Sequence, residues 1–131
     1  MTAPPPLIRY SAPTHEAELA LDRATARELA DMIARGAGEM AGNRTVDPKP
    51  YDQLLDAVRI ATGPGKVVLG LGPEGRVLTI TGALEHLAVL ADVVRDVPLD
   101  SDPTAHVHVE YFDGHYYLAE SPITLVLRFA I

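Results

Sequence analysis

The sequence contains no cysteine, which excludes disulfide bonds, thiolate zinc sites, iron–sulfur clusters and a cysteine nucleophile. It also lacks any apolar run approaching the ~20 residues that a membrane-spanning helix requires. Basic residues are few, since 11 Lys and Arg stand against 18 Asp and Glu, a formal net charge of −7. Such a chain repels phosphate backbones, so we expect no nucleic-acid ligand. An acidic surface keeps a protein soluble and can also attract a basic protein partner.

The N-terminal segment is rich in proline and has neither the basic stretch nor the apolar core of a signal peptide. We therefore expect a cytoplasmic protein. Residues 1–6 are predicted to form a flexible tail. The length of 131 residues fits one domain, so residues 7–131 are predicted to form a single α+β domain.

Two helices are predicted from apolar residues that recur at helical spacing. The first covers residues 23–35, with Asp22 as its N-cap and Gly36 as its C-terminal stop. The second covers about residues 83–97 and carries a wide apolar stripe, which indicates a deeply packed helix. Pro98 ends it, and a polar link over residues 99–104 follows.

Strands are predicted where apolar and polar residues alternate. A short strand covers residues 17–21, and a hairpin joins residues 67–71 to 77–81 through the turn 72–75. Two further strands cover residues 105–112 and 123–129. Residues 54–61 favour a strand, although Asp52 could cap a short helix there, and residues 36–50 are predicted to be a long loop. The order predicts an α+β fold with a mostly antiparallel sheet of about six strands and two helices packed on one face.

Residues 105–118 hold three of the five histidines and four of the seven Phe and Tyr rings. On a strand, alternation places His106, His108 and Glu110 on one face. These three side chains, with His115 as a possible fourth, could bind a divalent transition metal. Alternatively, they form the wet face of a strand whose valines, Val107 and Val109, face the core. Spacing alone does not supply coordination geometry, so the sequence favours no cofactor.

Aromatic residues surround the predicted Asp113-Gly114 turn, and they are Tyr111, Phe112, Tyr116 and Tyr117. Such rings either pack on the core or form a protein-binding surface, since Tyr offers apolar area with a polar tip. The chain has no glycine-rich phosphate loop and no convincing catalytic triad. The sequence thus favours a protein without catalytic activity.

Residues 106–112, His115, residues 117–118 and residues 121–126 together resemble the C-terminal signature of the immunity protein 32 family. The segment 77–82, followed by Leu84 and residues 87–91, is similar to the middle of that family. The resemblance covers about residues 66–127, with a weaker match over 17–35. Members of the immunity protein 32 family are small cytoplasmic bacterial proteins that neutralise a cognate toxin in polymorphic-toxin systems.

The resemblance implies a non-catalytic protein that binds a toxin made alongside it. It also implies a partner-binding face made of His106, His108, Glu110, His115, Tyr116 and Tyr117. Two alternatives stay open. One is a small metal-binding protein or metalloenzyme that uses His106, His108, Glu110 and His115. The other is a homo-oligomeric accessory protein, for example a homodimer, whose edge strands pair across a two-fold axis.

Overall fold

A computed structural model of the chain describes residues 5–97 and 106–129. Residues 1–4 of the predicted tail, and the whole predicted link 99–104, lie outside the described residues. Pro5 is exposed, whereas Pro6 is buried and its carbonyl accepts a hydrogen bond from the Asn43 backbone N–H at 2.8 Å. Pro6, the last residue of the predicted tail, is thus held against the fold.

The first helix, α1, spans Arg23–Arg35, as predicted. Asp22 caps it, because its carboxylate accepts the Thr25 backbone N–H while the Thr25 hydroxyl accepts the Asp22 backbone N–H. Gly36 ends the helix with a φ of 75°, a conformation that favours glycine. A Cβ atom at Gly36 would also lie 2.5 Å from the Thr62 Cγ2 atom, so the helix end packs too closely for a side chain.

The second helix, α2, spans Leu84–Asp96, one residue shorter at each end than predicted. It packs against α1, and Arg95 of α2 forms an ion pair with Asp31 of α1 at 3.4 Å. Its buried residues are Leu87, Leu90, Ala91 and Val94. Neither helix of the described part of the chain has the length and apolar character that crossing a membrane requires.

The described residues form nine strands, which are β1 Leu7–Ser11, β2 Glu16–Leu21, β3 Ala37–Ala41, β4 Gln53–Leu54, β5 Ala57–Thr62, β6 Val68–Leu71, β7 Val77–Gly82, β8 His106–Val109 and β9 Thr124–Phe129. A 3-10 turn at Pro73–Gly75 connects β6 to β7. The strands form a five-stranded sheet in the order β4-β1-β2-β9-β8 and a four-stranded sheet in the order β3-β5-β7-β6. Most neighbours are antiparallel, but β2 pairs parallel with β9, and β5 pairs parallel with β7.

The same unit, two strands followed by a helix and two paired strands, occurs twice along the chain. Strands β1 and β2 lead into α1 and then into the paired strands β3 and β5, while β6 and β7 lead into α2 and then into β8 and β9. Each unit contributes its first pair of strands to one sheet and its second pair to the other. The two units meet at the parallel pairs, β2 with β9 and β5 with β7, so each sheet contains strands from both units. This arrangement ties the two halves of the chain into one fold.

One continuous cluster of buried apolar residues includes side chains from both sheets and both helices. The α+β class is therefore confirmed. The strand number and sheet count differ from the prediction, because the described residues form more than six strands in two mixed sheets. The prediction joined all strands into one sheet because a sequence shows the order of strands along the chain and does not show which strands pair with each other.

Two strands were not predicted. In β3, which falls inside the predicted loop 36–50, only Met40 is buried, so the sequence has no alternating apolar signal there. In β1 the buried residues Ile8 and Tyr10 do alternate, but the strand is short and follows a proline-rich segment. Both strands exist because a neighbour supplies the hydrogen-bonding partner, β5 for β3 and β2 for β1. Residues 54–61 do not form a helix, but the single strand favoured there is divided into β4 and β5, which belong to different sheets.

Candidate functional site

One face of the five-stranded sheet carries polar side chains across four strands. Strand pairing places His108 of β8 opposite Val126 of β9, Val126 beside Glu18 of β2, and Glu18 opposite Arg9 of β1. Partners in a sheet share a face, so all four side chains lie on the same side. We call it the polar face, and it also includes Glu16, Thr124, Arg128 and His106. The opposite face carries core residues such as Leu19 and Leu127.

Glu18 lies at the centre of the polar face and is only 3% exposed. Its carboxylate accepts two hydrogen bonds from the Arg9 guanidinium, one of them from Nε at 3.0 Å. The Arg128 Nε atom lies 3.5 Å from the same carboxylate oxygen. The other oxygen accepts a hydrogen bond from the Tyr51 hydroxyl at 3.3 Å. A buried carboxylate is costly to desolvate, so these partners are what allow Glu18 to lie there.

The segment before β4 covers one side of the polar face. The Arg9 guanidinium carbon lies 4.5 Å from the centre of the Tyr51 ring, a cation–π geometry. Arg9 also donates to the Lys49 carbonyl at 3.0 Å. Burial and the nearby charges of Glu18 and Glu16 raise the pKa of the Tyr51 hydroxyl above its usual value. The phenol therefore stays protonated and keeps donating to Glu18 at neutral pH.

At the other edge of the polar face, His106 and His108 are exposed on β8. Their rings stack with centroids 6.4 Å apart. Glu110 is also exposed but follows the last residue of β8, which is shorter than the strand predicted over residues 105–112. Val109 faces the core as predicted, whereas Val107 is partly exposed at the sheet edge.

The described residues give no support to the predicted metal alternative. In that part of the chain, no three His, Asp or Glu side chains lie close enough together to hold one metal ion. The His115 Nδ1 atom, moreover, already accepts backbone hydrogen bonds. The two histidines of β8 share a face, as predicted, but Glu110 and His115 do not join them in a ligand set.

Residues 112–117 form a compact turn around Gly114, which we call the aromatic turn. Gly114 has a φ of 84°, in agreement with the predicted Asp-Gly turn. His115 is buried within the turn, and its Nδ1 atom accepts the backbone N–H groups of Leu118 at 3.1 Å and Tyr117 at 3.4 Å. The histidine ring thus holds the turn in shape.

The His115 ring is packed among the other rings of the turn. Its centroid lies 4.6 Å from those of Phe112 and Tyr117, and 5.8 Å from that of Tyr116, to which it is nearly parallel. Burial, reinforced by the positive charge of Lys66, holds the pKa of His115 below its usual value. The ring is therefore neutral at pH 7, which is the state that leaves Nδ1 able to accept hydrogen bonds.

The structure divides the six predicted partner-binding residues into two groups. His106, His108, Glu110 and Tyr116 are exposed, and Tyr116 has 68% of its surface accessible. His115 and Tyr117 are buried, so they can influence a partner only through the shape of the aromatic turn. Phe112, at 62% exposed, belongs to the same turn and packs on the His115 ring, although the predicted set omitted it.

The chain after the aromatic turn connects the two sheets. Val67, just before β6, donates to the Tyr117 carbonyl at 2.9 Å and accepts from the Ala119 N–H at 2.8 Å. The Lys66 ammonium donates to the His115 carbonyl at 2.6 Å. The Ser121 hydroxyl accepts the Leu69 backbone N–H at 3.0 Å, which gives this serine a structural role. Hydrogen bonds with residues 66–69 therefore hold the aromatic turn and the chain that follows it in place.

Sequence reasoning missed the charged group around Glu18. The signal available was the alternation of Glu16 and Glu18 with buried apolar residues in β2, which predicts that both carboxylates share one face. The partners of Glu18 are distant in sequence, because Arg9, Tyr51 and Arg128 come from three other segments. Only the sheet pairing brings them together.

Comparison with known proteins gives one match. Residues 77–130 match the family model described as immunity protein 32. This match confirms the resemblance predicted from the sequence over the segment from β7 through α2 and β8 to β9, which includes the aromatic turn. No curated protein and no solved structure matches the chain. The chain is thus similar to an immunity protein over its C-terminal part.

Proposed function

We propose that this chain is an immunity-type protein that binds a cognate toxin through the aromatic turn and the adjoining strand β8. The observation that carries the proposal is the exposure of Phe112 and Tyr116 on a turn that buried His115 holds in place, inside the segment that matches the immunity protein family. Exposed aromatic rings on a fixed backbone are typical of binding hot spots. A fixed turn also loses less conformational entropy on binding than a flexible one.

The neighbouring groups support a polar rim around these rings. His106, His108 and Glu110 are exposed on the same stretch of chain, so they can donate or accept hydrogen bonds around an apolar centre. The net charge of −7 favours a basic toxin and would accelerate its association with this protein. The proposed mechanism is binding alone, with no chemical step on the toxin.

The proposal predicts that Phe112→Ala and Tyr116→Ala each weaken toxin binding by about 1–2 kcal/mol, which is about five- to thirtyfold in Kd. Both side chains are exposed, so the fold should be retained, although Phe112→Ala also removes a ring contact with His115. The measurement is calorimetric Kd with the toxin domain encoded beside this chain, together with growth of cells that produce the toxin with or without the chain. Leu84→Ala is the matched control, because Leu84 is an exposed apolar residue at the start of α2.

We expect the wild-type chain and Leu84→Ala to restore growth and bind equally well, whereas the double variant of Phe112 and Tyr116 does neither at the same concentration. Equal binding by all variants would remove the aromatic turn from the interface. Absence of binding by the wild-type chain would contradict the proposed function. A dimer mass in light scattering, without toxin binding, would favour the homo-oligomer alternative.

A further inference from the structure

A second feature of the polar face lies away from the aromatic turn. The turn between β1 and β2 and the segment before β4 border a shallow pocket of about 260 Å³ that is broadly open to solvent. Its lining residues are Ser11, Thr14, Glu16, Pro50 and Tyr51. This volume is below the ~300–1,000 Å³ of typical small-molecule sites, so it suits one side chain better than a cofactor.

The chemistry of the pocket is that of a cation site. Glu16 provides a carboxylate that makes no hydrogen bond or ion pair within the described part of the chain. The hydroxyls of Ser11 and Thr14 add acceptors, and the rings of Pro50 and Tyr51 provide apolar walls. An aromatic wall beside a carboxylate favours an ammonium or guanidinium group on an aliphatic stem.

The arginine nearest to the pocket, Arg9, is already engaged. The guanidinium of Arg9 bonds to Glu18 and to the Lys49 carbonyl, and it stacks on Tyr51. The carboxylate of Asp52 accepts the Ala12 N–H at 2.7 Å next to the pocket and adds negative charge there. Within the described residues, the carboxylate of Glu16 therefore has no cation partner, and an incoming cation would supply one.

Hydrogen bonds hold the segments that border the pocket. Asp52 ties the β1–β2 turn to the segment before β4, and the Tyr10 hydroxyl lies 3.4 Å from the His15 Nδ1 atom beneath the turn. The Thr124 N–H donates to the His15 carbonyl at 2.9 Å, which connects the turn to β9. Since Glu16 pairs with Thr124 in the sheet, the pocket is continuous with the polar face that ends at β8.

We propose that this pocket receives a lysine or arginine side chain of the protein partner, as a second contact in addition to the one at the aromatic turn. This inference rests on the proposed function for the identity of the partner, and on the pocket alone for the chemistry of the ligand. The complementarity of a basic side chain with Glu16 and with an acidic protein determines the choice of occupant.

The first test uses model compounds with the full chain. N-acetyl-lysine methylamide and N-acetyl-arginine methylamide are titrated by NMR, with N-acetyl-norleucine methylamide as the uncharged comparison. We expect the amide signals of Ser11, Thr14, Glu16 and Tyr51 to shift with the basic compounds only. Glu16→Gln should weaken this binding about three- to fivefold, as for an exposed ion pair, and Glu28→Gln should not. Glu28 is an exposed carboxylate on α1, so its variant has the same net charge.

Binding of norleucine as strong as that of lysine would overturn the proposal, and so would equal weakening by Glu16→Gln and Glu28→Gln. The toxin identified under the proposed function provides the second test. We expect Glu16→Gln to weaken toxin binding at least threefold relative to Glu28→Gln. If the toxin binds both variants equally, the pocket proposal fails while the function stands. If the wild-type chain binds no toxin, the function fails, and the model compounds still decide whether the pocket accepts a cation.

Discussion

Glu18→Ala is expected to lower the free energy of unfolding by about 3–5 kcal/mol, the usual cost of removing one partner from a buried ion pair. The Arg9 side chain is 11% exposed in the intact protein, and the variant leaves its guanidinium, among the described residues, with the Lys49 carbonyl and the Tyr51 ring as partners. It also deprives the Tyr51 hydroxyl of its acceptor. Urea denaturation at pH 7 measures this loss as a lower midpoint at an unchanged slope.

The matched control is Glu28→Ala, which removes an exposed carboxylate from α1 and should change stability by no more than about 0.5 kcal/mol. A combined change of Glu18 to Leu and Arg9 to Met should recover much of the loss, because apolar side chains then replace both charges and neither is left buried without its partner. A loss below about 1 kcal/mol in Glu18→Ala would show that water readily solvates Arg9 in the variant, and would contradict the tightly enclosed ion pair described above.

His115→Ala is expected to destabilise the protein by about 2–4 kcal/mol, since two backbone N–H groups lose their acceptor and the ring contacts with Phe112 and Tyr117 are lost. The side chain is buried and central to the aromatic turn. The loss is measured by urea denaturation at pH 7. Hydrogen exchange of the Leu118 and Tyr117 amides should accelerate in the variant by a larger factor than exchange in α1.

The same residue gives the wild-type protein a pH-dependent stability. The folded state holds the pKa of His115 below its ordinary value of 6.5, so between the two values the unfolded chain binds more protons than the folded one. Stability from this group is therefore fully present above about pH 6.5 and is lost as the pH falls toward the folded pKa. The physical reason is that protonation of Nδ1 removes the acceptor of the two backbone N–H groups.

Denaturation midpoints between about pH 5.5 and 7.5 test this dependence, because most carboxylates stay ionised over that range. His115→Gln keeps an acceptor without a titrating group, so its midpoint should fall less with decreasing pH than that of the wild type. His86→Gln is the comparison variant, since it removes a histidine from α2 and not from the aromatic turn. If the denaturation midpoints of the wild type and of His115→Gln fall equally with decreasing pH, the result would contradict a neutral, buried His115.

Local patterns predicted the helices and most strands because the relevant interactions are near in sequence. Asp22 and Gly36 mark both ends of α1 through contacts within four residues, and the hairpin of β6 and β7 has its turn residues between its strands. Strand β3 could not be predicted in the same way, since one buried residue gives no pattern. Its existence depends on pairing with β5, which a linear sequence does not show.

The candidate site was predicted in part. The concentration of histidines and aromatic rings over residues 105–118 indicated the correct segment, and alternation correctly placed His106 and His108 on one face. The exposure of the individual rings depends on tertiary contacts and could not be predicted from this segment alone. Tyr116 and Tyr117 are adjacent and chemically identical, and their ring centroids lie 5.1 Å apart, yet the first is exposed and the second is buried. Tyr117 is the one whose backbone is held to the other sheet, through the hydrogen bond from Val67.

The sequence alone determined the acidic charge, the helix ends, the Asp-Gly turn and the resemblance that the family model matches over residues 77–130. These features depend on composition and on neighbours within a few residues. The tertiary structure alone decided the division into two sheets, the enclosure of Glu18 and the pocket beside Glu16. Each of these requires segments 30 or more residues apart to meet, because a buried charge is stable only where the fold brings its partners to it.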